Sequence, residues 1–205
     1  MTGSPNPDRR SQRSRQAILD ASLELCGEIG YGRLTIEGIA ARAGVSKKTI
    51  YRWWPSRASV VVEALNEAID PALTHPDTGD LAEDMHRQIT ALIDLLTPPE
   101  RSPLSALIAE GLQHPDVADE VRDRLVQPRI DSFNARIQKA QQRGELPPGT
   151  DPAVALDLFY GPIYHRTVLR LGIPDPTELR VLVRHAIRAL TCPDPDAQDE
   201  VASGR

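Results

Sequence analysis

Apolar residues recur at intervals of three and four along almost the whole chain, and period-two alternation of Val, Ile or Thr is not sustained anywhere. That rhythm belongs to amphipathic helices rather than strands. Eighteen prolines fall mostly between the periodic stretches, where they bound helices. The pattern predicts an all-α protein of about nine helices. Ile18, Ala21, Leu25 and Ile29 share one face of a first helix that begins near Arg13 and stops at Gly30. Thr35 is placed as the N-cap of a second helix carrying Ile36, Ile39, Ala40 and Ala43. Gly44 follows as a C′ residue with positive φ, and Ser46 caps a short third helix from Lys47 to Trp53, closed by Pro55. A fourth helix runs from about Ser56 to Ile69.

A larger helical body follows residues 71–79. Leu81, Met85, Ile89, Leu92 and Leu96 form one stripe, and Leu104, Leu107, Ile108 and Leu112 another. A long helix from about Asp116 to Arg143 carries Val117, Val121, Leu125, Phe133 and Ile137, with a bend expected at Pro128. The next runs from Asp151 or Pro152 to Leu171 and contains Gly161-Pro162, read as a kink. The last, Thr177 to Leu190, repeats Leu179, Leu182, Val183, Ala186, Ile187 and Leu190 on one face. The resulting plan is a flexible polar tail over 1–12, a helix-turn-helix domain over 13–70, a helical body over 71–192 and a second polar tail over 193–205.

Composition narrows the class. The 205 residues are 40% hydrophobic and 26% charged, close to the average soluble domain. No stretch approaches about 18 uncharged apolar residues, so no transmembrane helix and no membrane partner are expected. Residues 1–15 lack the apolar run of a signal peptide. Cys26 and Cys192 are far apart and form no metal-ligand spacing, which suits a reducing cytoplasm. The net charge of −5 hides a split. Met1 to Val60 hold ten Lys and Arg against five Asp and Glu, +5, and Val61 to Arg205 hold fourteen against twenty-four, −10. A basic first quarter on an acidic remainder points to nucleic acid at one end.

That basic quarter contains Leu34 to Arg57, LTIEGIAARAGVSKKTIYRWWPSR. Two short helices joined through Ala43-Gly44-Val45-Ser46 make a helix-turn-helix, with Ile36, Ile39, Ala40, Val45 and Ile50 as a small shared core. The second of them begins with Lys47, Lys48 and Thr49 and brings Tyr51 and Arg52 one turn later. Long basic side chains, a hydroxyl and an amphipathic aromatic on one exposed face suit base edges and phosphates in a major groove. A helix-turn-helix that is only a packing unit is the alternative, and the cluster of contact-type residues at the capped helix start weighs against it.

Gly30-Tyr31, Leu34-Thr35-Ile36, Ile39-Ala40, Ala43-Gly44-Val45-Ser46, Thr49-Ile50-Tyr51 and Pro55-Ser56-Arg57 resemble the DNA-binding domain of tetracycline-repressor (TetR/AcrR-type) regulators over about residues 13–70. More loosely, Arg143-Gly144-Glu145-Leu146, Asp151-Pro152 and Gly161-Pro162 resemble that family's ligand-binding half. The resemblance implies that Lys47, Lys48, Tyr51 and Arg52 face bases or adjacent phosphates, and that Thr35, Thr49, Trp53 and Arg57 reach phosphates. Trp53-Trp54 stand where His-Phe is frequent, which makes Trp54 the core aromatic, and Arg57 keeps the charge of a frequent Lys.

The resemblance also implies a homodimer formed by the last two helices on a palindromic double-stranded operator. It implies an unidentified small-molecule effector held by the body, whose binding releases a repressor. Candidate lining residues are Met85, Ile89, Ile108, Phe133, Phe159, Tyr160, Tyr164 and His165, a mixture of apolar bulk and polar handles. Two other readings stand beside this one. A helix-turn-helix activator without a ligand would use the same DNA contacts. A helical-bundle metal enzyme would need repeated Glu-x-x-His, and Glu83 to His86 is a single instance. With no Gly-x-Ser-x-Gly, P-loop or Gly-x-Gly-x-x-Gly, no enzyme activity, metal or cofactor is expected.

Overall fold

The computed structural model describes residues 7–69 and 75–192. Every regular element among them is helical. They are α1 (Pro7–Ile29), α2 (Ile36–Ala43), α3 (Lys47–Tyr51), α4 (Arg57–Ala68), α5 (Leu81–Leu96), α6 (Pro103–Gly111), α7 (Pro115–Val121), α8 (Gln127–Gln142), α9 (Pro152–Val168) and α10 (Pro176–Thr191). A π-helical segment, Arg122–Val126, follows α7 and leads directly into α8; counted as one helical stretch, the three leave nine helices among the described residues. The expected bend at Pro128 takes this form. A proline lacks the N–H that an α-helix requires, and the wider turn just before it absorbs the mismatch. The polar tails over 1–6 and 193–205 lie outside the described residues, whereas 7–12 extend α1 beyond its expected start at Arg13.

The helix ends follow local chemistry. Thr35 Oγ1 accepts from Gly38 N at 3.0 Å, Ser46 Oγ from Thr49 N at 3.2 Å, and Ser56 and Ser59 cap α4 reciprocally. Pro103, Pro152 and Pro176 each open a helix behind a capping Ser102, Asp151 or Asp175. Gly44 ends α2 at φ 65°, a conformation that favours glycine. The helix expected to reach Leu171 stops at Val168 instead. Arg170 takes φ 54°, Arg170 N donates to Thr167 O, and Leu171 N donates back to Arg166 O.

Contacts divide the described residues into two compact units. One joins residues up to 69 with 91–129, and the other joins 75–90 with 130–192. In the first, α1 packs on α2 and α4, and α4 also meets α6, α7 and the π segment. Ile18, Leu34, Ile39, Ile50, Val60 and Val61 are completely buried there, and Trp54 is buried as expected. In the second unit Met85, Phe133, Ile137, Ala155 and Ile163 are completely buried, and α9 packs on α10. Cys26 is buried and Cys192 exposed, both as free thiols. No helix among the described residues is long and apolar enough to cross a membrane.

Candidate nucleic-acid interface

The helix-turn-helix is held from inside by Ile36, Ile39, Ala40 and Ile50, so the register of α3 is fixed by burial. With Ile50 pinned, Lys47, Lys48, Tyr51 and Arg52 all face solvent, Tyr51 with 55% of its surface exposed. A tyrosine that exposed is unusual without a partner surface, and here it lies among three cations. Thr35 and Thr49 serve the helix ends: Thr49 is half-buried, its Oγ1 2.9 Å from Ser46 Oγ.

Two neighbours modulate these cations. Lys47 Nζ donates to Glu37 Oε1 on α2 at 2.9 Å. That contact raises the ammonium pKa and lowers the carboxyl pKa. The Arg52 guanidinium lies 4.5 Å above the centre of the Trp53 ring. Trp53 in turn meets Trp54 edge to face at 5.4 Å, and Trp54 Nε1 donates to Glu63 Oε2 at 2.9 Å. The aromatic pair therefore anchors Arg52 to the core, a role for Trp53 that sequence reasoning missed.

Arg57 is placed differently from its expected position on a phosphate. Its Nη1 donates to Leu34 O at 2.9 Å, its Nη2 to Glu110 Oε1 at 3.0 Å, and its guanidinium lies 4.6 Å from the Tyr31 ring centre. Tyr31 is buried, so this arginine is engaged on three sides inside its own unit. Glu63, on α4, takes Arg15, Trp54 and Arg124, the last at 2.6 Å. Apart from Trp54, these partners have no sequence signature, because Arg15 and Arg124 stand 48 and 61 residues from Glu63, and Glu110 stands 53 from Arg57.

The residues expected to line an effector pocket scatter. Met85, Ile89, Phe133 and Phe159 are closed core. Ile108 belongs to the first unit. His165 is exposed and Tyr164 half-buried. Phe159 and Tyr160 do converge on Phe133, with ring centres 6.2 and 5.8 Å from it, and Phe133 and Tyr160 also meet His75, which the sequence did not single out. His75 is 5.4 Å from the Phe133 ring; its Nε2 lies 2.7 Å from Tyr160 Oη and its Nδ1 3.3 Å from Ser132 Oγ. Burial, with Arg136 nearby, pushes the His75 pKa down to about 4, and burial pushes that of Tyr160 up.

Beside this cluster Arg136, 2% exposed, donates to Asp84 Oδ2 at 2.7 Å, and its Nη1 lies 3.1 Å from Glu145 Oε2. Asp84, fully buried, also accepts from Thr78 Oγ1 at 2.7 Å, and Glu145 accepts from Leu81 N at 2.7 Å. This network ties the segment before α5 to α8. It is buried charge in which the Arg136 guanidinium is set against two carboxylates, although Arg136 Nη1 and Glu145 Oε2 make an ion pair and no hydrogen bond among the described residues.

A family model described as "Bacterial regulatory proteins, tetR family" matches residues 18–64, and one described as "Tetracyclin repressor-like, C-terminal domain" matches residues 75–186. The uncharacterized HTH-type transcriptional regulator YdeS of Bacillus subtilis is 34% identical over 181 residues, covering 88% of this chain and 91% of that one. The DNA-binding transcriptional repressor TetR of Mycobacteroides abscessus is 29% identical over 175 residues, covering 80% and 86%. The crystal structure of the TetR family transcription regulator SCO0332 is 30% identical and covers 88% of this chain and all of that one, with a TM-score of 0.75. An all-helical chain with a capped, cation-bearing α3 and these relatives is a member of the TetR family of DNA-binding transcriptional regulators.

Proposed function

We propose that the chain is a homodimeric repressor that reads a palindromic operator with α3 and leaves it when a small molecule occupies the second unit. The observation that carries the reading is the exposed face of Lys47, Lys48, Tyr51 and Arg52 over a sealed core. In this reading Lys48 and Tyr51 contact base edges. Lys47 and Arg52 contact bases or adjacent phosphates, and Thr35, Thr49 and Trp53 line the backbone. Arg57 holds the loop before α2 against α6 instead of a phosphate. The repressor sense is supported by the repressor from Mycobacteroides abscessus. A regulator of this kind works in the cytoplasm, where the chromosome is, and carries out no catalysis.

Dimerisation is assigned to the last two helices, chiefly to α9. Val154, Leu158, Gly161, His165 and Val168 are all exposed and follow one another at four, three, four and three residues, a single helical stripe. Gly161 has open space where a side chain would stand. A small residue in the middle of an apolar stripe lets a second helix approach closely. The stripe expected on α10 contributes less, because Leu179, Val183 and Ala186 are buried within the chain. Gly161→Trp therefore tests the interface with little effect on the subunit. Sedimentation should shift from about twice the 22.5 kDa chain mass to the chain mass, with an unchanged helical spectrum. A dimer that survives the tryptophan moves the interface off α9.

The function itself is tested by selecting bound fragments from the source genome. The expected product is a two-fold symmetric sequence with half-sites about one helical turn apart, or a multiple of it. Recovery of fragments with no shared sequence would overturn the reading.

A further inference from the structure

A cleft of about 290 Å³ lies in the second unit, between the start of α5 and the middle of α10, lined by Asp80, Ala82, Glu83, His86, Arg180, Val183 and Arg184. Its volume is that of a small-molecule site at the lower end of the range. We propose that it binds a small carboxylate with a short apolar body. This deepens the ligand-responsive reading and rests on it for the consequence on DNA, but not for binding itself.

Asp80 Oδ1 accepts from Glu83 N at 3.1 Å, capping α5, and Glu83 Oε1 takes Arg87 Nε at 2.6 Å. Both carboxylates in the wall thus have work within the chain. Arg180 and Arg184 make no hydrogen bond or ion pair with any described residue. Four residues apart on α10, they present their guanidinium groups on one face of the helix. His86, whose ring also lines the cleft, has a buried Nε2 with no hydrogen-bond partner among the described residues. A buried ring nitrogen without a partner is costly.

Two guanidinium forks without partners among the described residues therefore stand in the wall, beside the His86 imidazole. A carboxylate matches a fork with two parallel hydrogen bonds and still has lone pairs for a third donor. Val183, 3% exposed, and Ala82 form an apolar floor that inorganic phosphate would leave uncovered. Arginines on a helix surface are commonly just solvated. What distinguishes this pair is the concave wall they share with the His86 imidazole and an apolar floor.

The test titrates the full-length protein with acetate, benzoate, phenylacetate and succinate, using benzyl alcohol and inorganic phosphate as comparators, by calorimetry and by histidine-ring NMR. The expected result is saturable one-to-one binding of benzoate or phenylacetate that moves the His86 ring signals, with benzyl alcohol and phosphate much weaker. Arg180→Gln and Arg184→Gln should each weaken binding about tenfold or more without changing the helical spectrum. Arg122→Gln, at an exposed position in the first unit, should bind as the parent does. If no carboxylate saturates by about 10 mM, or if the arginine variants bind like the parent, the cleft assignment is overturned. Operator affinity separates the two readings. A carboxylate that binds through Arg180 and Arg184 and leaves DNA binding unchanged supports the site and removes its link to release. Operator release that survives both arginine variants likewise removes that link, while the binding titration alone decides the site.

Discussion

Arg52 in the first unit and Arg136 in the second carry the same guanidinium to opposite ends. Arg52 is exposed and rests on the face of Trp53, with no carboxylate at its head among the described residues. Arg136 is 2% exposed and meets Asp84 and Glu145, with Asp77 at 3.9 Å. The difference lies in what surrounds the charge. An exposed cation held by an aromatic stem keeps its electrostatic reach and can bind a polyanion. A buried cation compensated by acids has no reach left, and its removal strands them. The acidic excess beyond Val61 is thus partly internal bookkeeping, while the basic excess before it faces outwards.

The largest effect should come from breaking the buried side of this pair. Arg136→Met leaves Asp84 without its main partner, at a cost of about 3–5 kcal/mol. Chemical denaturation should show that loss, and Asp84→Leu added to Arg136→Met should restore much of it. Arg52→Ala in the same assay should stay within about 0.5 kcal/mol while operator affinity falls. Equal destabilisation by Arg136→Met and Arg52→Ala would erase the distinction drawn here.

His75 sharpens the same contrast through pH. Its folded pKa of about 4 lies below the ordinary 6.5, so the unfolded chain takes up a proton first as the solution is acidified. Stability contributed by neutral His75 is complete above pH 6.5 and is lost as pH falls towards 4, by up to about 3 kcal/mol. The carboxylates behave otherwise: Asp77, held down to about 2 by Arg143 and Lys139, loses its contribution only below its ordinary 3.8. Denaturation midpoints measured between pH 7 and 4 should therefore fall in the parent and fall less in His75→Gln. Parallel curves would mean that His75 does not carry the dependence.

On the exposed side, Lys48→Ala and Tyr51→Ala should each cost about 1–3 kcal/mol of discrimination for the operator, with unfolding unchanged. Binding should be followed on the operator and on an unrelated duplex at several salt concentrations. Loss confined to the operator identifies a base contact. Equal loss on both duplexes reassigns the residue to the phosphates.

The reading head was legible because each of its devices is local. Thr35, Gly44 and Ser46 announce their turns by residue type, and Ile39 and Ile50 announce the core by spacing. The end of α9 was not, since the residue that reverses it is Arg170, and an arginine at positive φ has no signature. Nor were the long-range pairs. His75 was a lone histidine among prolines until the fold set it against Tyr160, and Arg57 read as surface charge until Glu110 and Tyr31 closed on it. The pocket candidates scatter for a related reason. Apolar spacing selects what is buried, so it gathered Met85, Ile89 and Phe133, which are core, and passed over Arg180 and Arg184.

The smallest expected effect concerns Lys47, which stands between the two cases. It is exposed like Arg52, yet Glu37 holds it at 2.9 Å as acids hold Arg136. Exposed pairs contribute little to stability, so Glu37→Gln should leave unfolding unchanged. It should act on DNA instead. The carboxylate repels phosphate and occupies the ammonium, so its removal should tighten binding a few-fold on every duplex. If Lys47 then meets a phosphate that it could not reach before, the slope of log affinity against log salt should steepen by about one. Tighter binding with an unchanged slope would instead assign Glu37 a purely repulsive role and leave Lys47 paired in the complex as it is in the free protein.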